Sequence, residues 1–190
     1  MAQAIRTPRT YTAAEYLLIE RGADYKSELI DGQMWAMAGA TEKHILISRN
    51  LSTIAHVQLR GSGCLSFSSD MKVLVQPDGT FAYPDMAIVC GERQYHDEQK
   101  DVVLNPVVLS EVLSPSAEQF DRGDKFLRYQ QIPTFKEYVL VSQNMPRVDH
   151  FVRQESGLWA ASVALGLEAS VTLSAVALTL SLSEVYESVA

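Results

Sequence analysis

Two short apolar runs near the centre of the chain constrain its fold most strongly. Met86–Cys90 and Pro106–Leu113 are almost continuously apolar, and the second is rich in β-branched residues. Neither run approaches the roughly 18 apolar residues that a membrane-spanning helix needs. Continuous rather than alternating apolar character is typical of strands that are buried on both faces. The two runs therefore predict the core of a sheet that is covered by helices.

Local patterns predict the elements around this core. The first are a helix from Thr12 to Glu20 with a capping box of Thr12 and Glu15, a hairpin from Lys26 to Ala38 that turns at Asp31-Gly32, and a helix from Thr41 to about Leu59. Later ones are strands at 64–68 and 71–75, a turn at Pro77-Asp78-Gly79, a loop at 91–101, a helix from Ser116 to Gln130, a strand at 137–142, a hairpin over 148–163, and one or two further strands before a short helix near Ser183. This order predicts an α/β (α+β) fold in which a mixed sheet carries flanking helices and extra β-hairpins.

Composition limits the class of protein. The 190 residues, 47% hydrophobic and 21% charged, suit one globular domain over residues 1–190. Cys64 and Cys90 form no CxxC pair, and we expect two small buried apolar side chains in a reducing compartment. The first ten residues contain no apolar segment of a secretory signal, so we expect a cytoplasmic protein with no membrane partner.

The net charge of −7 argues against a dedicated nucleic-acid-binding protein, because such proteins usually carry an excess of Lys and Arg. It does not exclude a nuclease. Clustered carboxylates in an active site add negative charge that a bound metal ion offsets, and a local group of basic side chains can still hold phosphate.

Glu111 is the residue that points most sharply to chemistry. It lies inside the apolar run 107–113, and burying a carboxylate costs several kcal/mol unless the group is paired, metal-bound or protonated. A solvent-facing position, or pairing with a structural Arg, would also account for it. Because the run is so apolar, we favour a functional role.

Asp85 is the second candidate, since Pro84-Asp85 directly precedes the run 86–90. Proline is tolerated at the start of a strand, which places Asp85 at the entry to a core strand. An Asp in a solvated turn would be the commoner situation. Beside Glu111 on a neighbouring strand, Asp85 would form a two-carboxylate site of the kind that Mg²⁺ prefers.

Lys125 is the third candidate, within the charged stretch 121–129. Lys125, Arg128 and Tyr129 have helical spacings and can share a face. A solvated charged face explains such a stretch equally well. Only the nearness of the preceding strand favours Lys125 as a site residue.

Taken together, these residues resemble the Uma-type family of restriction-endonuclease-like proteins, within the PD-(D/E)xK nuclease superfamily. The resemblance extends from Thr12 to about Leu182, so the domain core is expected at about 12–182. The matching stretches are Glu28-Leu29-Ile30-Asp31-Gly32, His44, Tyr83-Pro84-Asp85, Glu111-Val112-Leu113-Ser114-Pro115-Ser116, Asp121 to Tyr129, and Pro133 to Val141.

The resemblance implies a restriction-endonuclease-like core and a set of site residues. Pro84-Asp85 matches the first half of the superfamily motif and Glu111 the second, whereas Leu113 occupies the place of the motif's Lys. In related nucleases this Lys can move to a neighbouring helix, which makes Lys125 the natural substitute. Glu28 corresponds to an additional acidic residue from an N-terminal element.

What the resemblance implies for activity is a Mg²⁺-dependent DNA endonuclease, with Mn²⁺ as an alternative ion. Asp85, Glu111 and the backbone carbonyl of Val112 would hold the metal, and Lys125 and Glu28 would complete the catalytic set. His44 and Arg128 are candidate substrate contacts. Lys26, Lys43, Arg49, Arg60 and Arg122 are further possible phosphate contacts, although a solvated surface accounts for most of them. Because cutting both strands of a duplex favours two-fold symmetry, a homodimer is expected.

Two other functions fit the same residues. Leu113 in the Lys place and the acidic net charge are compatible with a catalytically inactive protein of the same fold that binds nucleic acid or a protein partner. A metal-dependent hydrolase acting on another phosphorylated substrate is the second, since the fold alone does not define a substrate.

Overall fold

Mixed sheets form the framework of the computed structural model, which describes residues 9–75 and 79–189. Five helices lie within these residues: α1 (Ala13–Glu20), α2 (Glu42–Gln58), α3 (Glu118–Arg122), α4 (Asp124–Tyr129) and α5 (Leu182–Val185). The strands there are β1 (Ser27–Ile30), β2 (Gln33–Ala36), β3 (Cys64–Ser68), β4 (Lys72–Val75), β5 (Thr80–Ala82), β6 (Met86–Cys90), β7 (Val102–Val103), β8 (Val108–Leu113), β9 (Glu137–Ser142), β10 (Arg147–Arg153), β11 (Trp159–Leu165), β12 (Ser170–Leu173) and β13 (Leu178–Ser181). The predicted α/β class with mixed sheets and few helices is confirmed.

The strands form three sheets. The largest has the order β11-β10-β9-β8-β6-β3, and within it only β8 and β9 run parallel. A second sheet has the order β2-β1-β5-β4-β7, and β12 pairs with β13 in a separate hairpin. The two apolar runs of the sequence become β6 and β8, adjacent antiparallel strands whose side chains are almost all buried. They lie at the centre of the protein, as their composition predicts.

The early elements form as the local sequence predicts. Thr12 caps α1 in a capping box with Glu15, and Thr41 caps α2. The β1–β2 hairpin turns at Asp31 and Gly32, which both have positive φ, 51° and 72°. Asp tolerates this left-handed conformation and Gly adopts it freely, which explains the tight connection. Of the predicted turn at Pro77-Asp78-Gly79, the first two residues lie outside the described residues.

The predicted single helix from Ser116 to Gln130 is wrong. The chain forms two short helices instead, α3 and α4, with Gly123 between them at φ −112° and ψ −99°. A Cβ at this position would lie 3.1 Å from the carbonyl oxygen of Gln119, so the close approach there suits glycine. The break begins a new helix just before Lys125.

The prediction of two unlinked cysteines is also wrong. Cys64 of β3 lies directly opposite Cys90 of β6, and the two form a disulfide. Both predicted positions in strands were correct, but the pairing depends on the register between β3 and β6, which the sequence does not reveal. No helix among the described residues is both long and apolar enough to cross a membrane.

Candidate active site

Four separate elements bring the predicted residues together. Glu28 comes from β1, Asp85 from the entry to β6, Glu111 from β8 and Lys125 from α4. All four side chains are buried, with no more than 9% of any residue exposed. Ionisable groups are rarely buried this completely unless they are paired. The site therefore lies where the two larger sheets meet the α4 helix.

Lys125 is at the centre of the cluster. Its Nζ atom lies 3.0 Å from Oε1 of Glu111 and 3.2 Å from Oε1 of Glu28. A third carboxylate, that of Asp121, has its Oδ1 atom at 3.6 Å. Burial lowers the pKa of Lys125, but these carboxylates outweigh that effect and raise the pKa well above its usual value. Lys125 is consequently a permanent ammonium in this environment.

Asp121 is a site residue that the sequence reasoning missed. It lies one helical turn before Lys125 and is only 4% exposed. Burial is the largest effect on its carboxyl group and raises the pKa to about 6, even though Lys125 acts in the opposite direction. The i,i+4 spacing of Asp and Lys was a visible signal, but the same spacing is common on solvated helices.

Burial also perturbs the carboxyl group of Glu111. Burial raises its pKa well above 4.5, and the partial compensation by Lys125 does not cancel the effect. The hydroxyl of Tyr129 donates a hydrogen bond of 2.9 Å to Oε1 of Glu111. Tyr129 and Tyr138 are both fully buried. Tyr129 has the additional effect of fixing the Glu111 carboxylate.

Asp85 is held by two hydrogen bonds. Its Oδ2 atom accepts the backbone N–H of Val112 at 2.7 Å, which ties the entry of β6 to β8. Its Oδ1 atom lies 2.7 Å from Nε2 of His44 on α2. His44 was predicted as a substrate contact, and the structure places it directly against Asp85.

Gln143 is a second residue that the sequence reasoning missed. Its side-chain oxygen accepts a hydrogen bond from the Thr41 hydroxyl at 2.6 Å, which leaves its amide group as the donor. That group donates to the carbonyl of Leu113 at 2.9 Å and faces Nδ1 of His44 at 3.4 Å. With Nδ1 as the acceptor, the proton of a neutral His44 is on Nε2 and is donated to Asp85. Gln143 thereby determines the His44 tautomer that orients Asp85.

Arg128 lies on the side of α4 that faces the β1–β2 hairpin. Its Nη2 atom is 2.7 Å from Oδ2 of Asp31, and Nη1 donates to the hydroxyl of Thr80 at 3.3 Å. This pair fastens α4 to the second sheet. A role for Arg128 in substrate binding stays a prediction, because its described contacts are within the protein.

The donor chemistry of the cluster suits a hard cation. Glu28, Asp85, Glu111 and Asp121 offer carboxylate oxygens, the ligands that Mg²⁺ and Mn²⁺ prefer. Among the described contacts, Oε2 of Glu28 and Oε2 of Glu111 accept no hydrogen bond, so both keep an oxygen for a ligand. Within the described residues, however, no three such side chains are already arranged to hold a metal ion. Lys125 lies among the carboxylates and supplies the balancing positive charge.

Comparisons with known proteins agree with this fold. The family model Uma2, described as "Putative restriction endonuclease", matches residues 13–183. Two relatives from Synechocystis sp. (strain ATCC 27184 / PCC 6803 / Kazusa) are uncharacterized proteins. The first, sll1609, is 34% identical over 170 residues, which is 90% of this chain and 96% of the relative. The second, slr1290, is 35% identical over 145 residues, which is 76% of this chain and 75% of the relative.

A solved structure shares the fold at low sequence identity. It is described as a putative nuclease belonging to DUF820 from Anabaena variabilis ATCC 29413. The TM-score is 0.77 at 18% identity, over 94% of this chain and 99% of the other. At this identity the likeness shows the fold alone.

Proposed function

The chain belongs to the Uma2 family, and on that premise we propose that it is a Mg²⁺-dependent DNA endonuclease that hydrolyses phosphodiester bonds. One observation carries the proposal: the Nζ atom of Lys125 lies 3.0 Å from Glu111, the buried carboxylate of β8. Leu113 occupies the place of the superfamily's Lys and packs in an apolar cluster. A lysine from the neighbouring helix α4 therefore supplies the cation that this strand lacks.

Lys125 acts as a fixed positive charge rather than as a base. Because the surrounding carboxylates raise its pKa well above the usual value, it keeps its proton at neutral pH. An ammonium group there orients the attacking water and stabilises the negative charge that develops on the phosphoryl oxygens. During hydrolysis the water oxygen bonds to phosphorus while the bond to the leaving oxygen breaks.

The carboxylates would hold the metal ion. Asp85, Glu111 and the backbone carbonyl of Val112 are the proposed ligands, and Glu28 completes the set directly or through water. When bound, Mg²⁺ polarises a phosphoryl oxygen and lowers the pKa of a coordinated water. His44 and Gln143 keep the Asp85 carboxylate in one orientation, which favours a defined ligand geometry.

The proposal includes two partners. The substrate is DNA, and the second partner is another copy of the chain, because a two-fold arrangement would present one site to each strand of a duplex.

A catalytically inactive protein of the same fold is the alternative, and one observation favours it. Both oxygens of Asp85 are already engaged, one by His44 and the other by the Val112 N–H. Such a protein would bind nucleic acid or a protein partner and use the buried ion pairs of Lys125 only for structure.

The test is a cleavage assay on supercoiled plasmid and on single-stranded DNA, with Mg²⁺, Mn²⁺ or EDTA. We expect metal-dependent cutting that is lost in Glu111→Gln, a change that keeps the shape of the side chain. Glu155→Gln, in the exposed β10–β11 turn, is the matched control and should cut normally. Cutting that survives in the Asp85→Asn, Glu111→Gln double variant would disprove the site. A wild-type protein that binds DNA but never cuts it would favour the alternative.

A further inference from the structure

A groove of about 520 Å³ opens beside Asp85 and His44 and follows the outer face of α2. Ser48, Ser52 and His56 of the helix line one wall, and Ser68 at the end of β3 and Ser69 directly after it line the other. Only the inner end of the groove, at Asp85 and His44, shares residues with the candidate active site described above. It is therefore an open path from the protein surface to the candidate active site.

Most polar groups along this path are hydrogen-bond donors. Its lining contains hydroxyl groups, two imidazoles and the guanidinium of Arg49, and Asp85 is its single carboxylate. The sequence of α2 includes two permanent cations, Lys43 and Arg49, against one carboxylate, Glu42, although the whole chain carries a net charge of −7. Most of the lining surface is apolar, but its hydroxyl, imidazole and guanidinium groups can donate hydrogen bonds to phosphodiester oxygens, which only accept them.

Two polar groups on α2 are prepared for a ligand. The Oγ atom of Ser48 is buried against the groove and has no hydrogen-bond partner among the described residues. A buried polar atom without a partner destabilises the folded protein, and a hydrogen bond to a ligand oxygen would remove that cost. The guanidinium of Arg49 is held by the side-chain oxygen of Asn50, at 2.9 Å from Nη2. Asn50 in turn donates to the carbonyls of Val185 and Glu187, so Arg49 is anchored on a rigid support.

We propose that this groove binds the sugar–phosphate backbone of a DNA strand and leads the strand to Asp85. Ser48, Arg49, Ser52 and His56 contact successive phosphates without reading the bases. The inference rests on the proposed function for the identity of the substrate, but binding can be measured without cleavage.

The experiment measures binding of a fluorescent duplex oligonucleotide in EDTA by anisotropy, over a range of salt concentrations. We expect Arg49→Ala to raise the Kd about fivefold or more and to reduce the slope of log K against log salt by about 1. His56→Glu, which adds an exposed carboxylate to the groove, should weaken binding at least as much. In Mg²⁺, both variants should raise the KM for plasmid cleavage and leave kcat nearly unchanged.

Arg93→Ala is the matched control. Arg93 is exposed and follows β6 at the end of the strand opposite to Asp85, so its loss should alter neither the Kd nor the salt slope. Thermal unfolding of each variant shows whether the fold is intact. Unchanged binding by both groove variants would overturn the inference and leave the nuclease proposal standing. DNA binding that both groove substitutions weaken, with no cleavage by the wild type, would support the inference and overturn the nuclease proposal. If the groove substitutions weaken binding of an RNA oligonucleotide but not of DNA, the assignment of the groove to DNA is overturned.

Discussion

Asp121→Asn should make the metal-free protein more stable at alkaline pH. Asp121 is almost fully buried, and burial raises its pKa from 3.8 to about 6. Each pH unit of such a rise corresponds to about 1.4 kcal/mol, so the ionised carboxylate destabilises the folded protein by about 3 kcal/mol. The stability contributed by this group is complete below about pH 4 and is lost as pH rises to about 6. An amide of the same shape does not ionise and avoids the loss.

Urea unfolding in EDTA at pH 4.5, 6.5 and 8 measures the effect. The free energy of unfolding of Asp121→Asn should exceed that of the wild type by about 2–3 kcal/mol at pH 8, and the gain should shrink towards pH 4.5. Asp124→Asn is the matched control, because Asp124 is exposed in the same segment and its replacement should change stability by less than about 1 kcal/mol. A difference between variant and wild type that is the same at all three pH values would refute the reasoning, since Asp121 would then not titrate with folding.

Three further predictions follow from other buried groups. Lys125→Met leaves three buried carboxylates without their cation. Plasmid cleavage should disappear, and the free energy of unfolding at pH 7 should fall by about 3–5 kcal/mol. Mg²⁺ should partly restore the melting temperature if the carboxylates bind it. Glu137→Gln breaks a buried pair with His150, 2.6 Å away, and should lower unfolding stability at pH 7 by about 2–4 kcal/mol. Burial opposes ionisation of Glu137, but its hydrogen bonds and His150 hold the pKa below 4.5, so the difference from wild type should diminish only as pH falls below that value. The disulfide between Cys64 and Cys90 closes a loop with a sequence separation of 26, so adding a reductant should lower the unfolding stability of the wild type by about 3 kcal/mol. The reductant should have no such effect on Cys64→Ala. Equal sensitivity of both proteins would contradict this prediction.

The parts of the fold that could be predicted depend on local chemistry. The caps Thr12 and Thr41 and the Asp31-Gly32 turn act within a few residues, so their sequence patterns were sufficient. The break at Gly123 was missed because helix periodicity continues through it, and the constraint comes from a carbonyl of the preceding turn. The Cys64–Cys90 bond was missed because it depends on strand register.

The residues of the candidate site also divide into those that the local sequence reveals and those whose role depends on distant contacts. Glu111 was recognisable because a carboxylate in an apolar strand has a large desolvation cost wherever the strand packs. Asp121 and Gln143 were not, because acidic helix residues and polar residues after a strand are usually solvated. Their roles depend on which side chains lie opposite, namely Lys125 for the first and His44 for the second. The family and the fold were predicted correctly, and the functional roles stay predictions until cleavage and metal binding are measured.

The wide spacing of the cluster along the chain has a consequence for biosynthesis. The tie between Arg128 and Asp31 joins residues 97 positions apart, and the Glu28–Lys125 contact beside it joins the same two elements. No shorter segment of the growing chain contains the whole cluster, so the cluster assembles only after α4 has left the ribosome and docked on the β1–β2 hairpin. Under the proposed nuclease function, activity would begin only at this late stage of synthesis, without the need for a separate inhibitor.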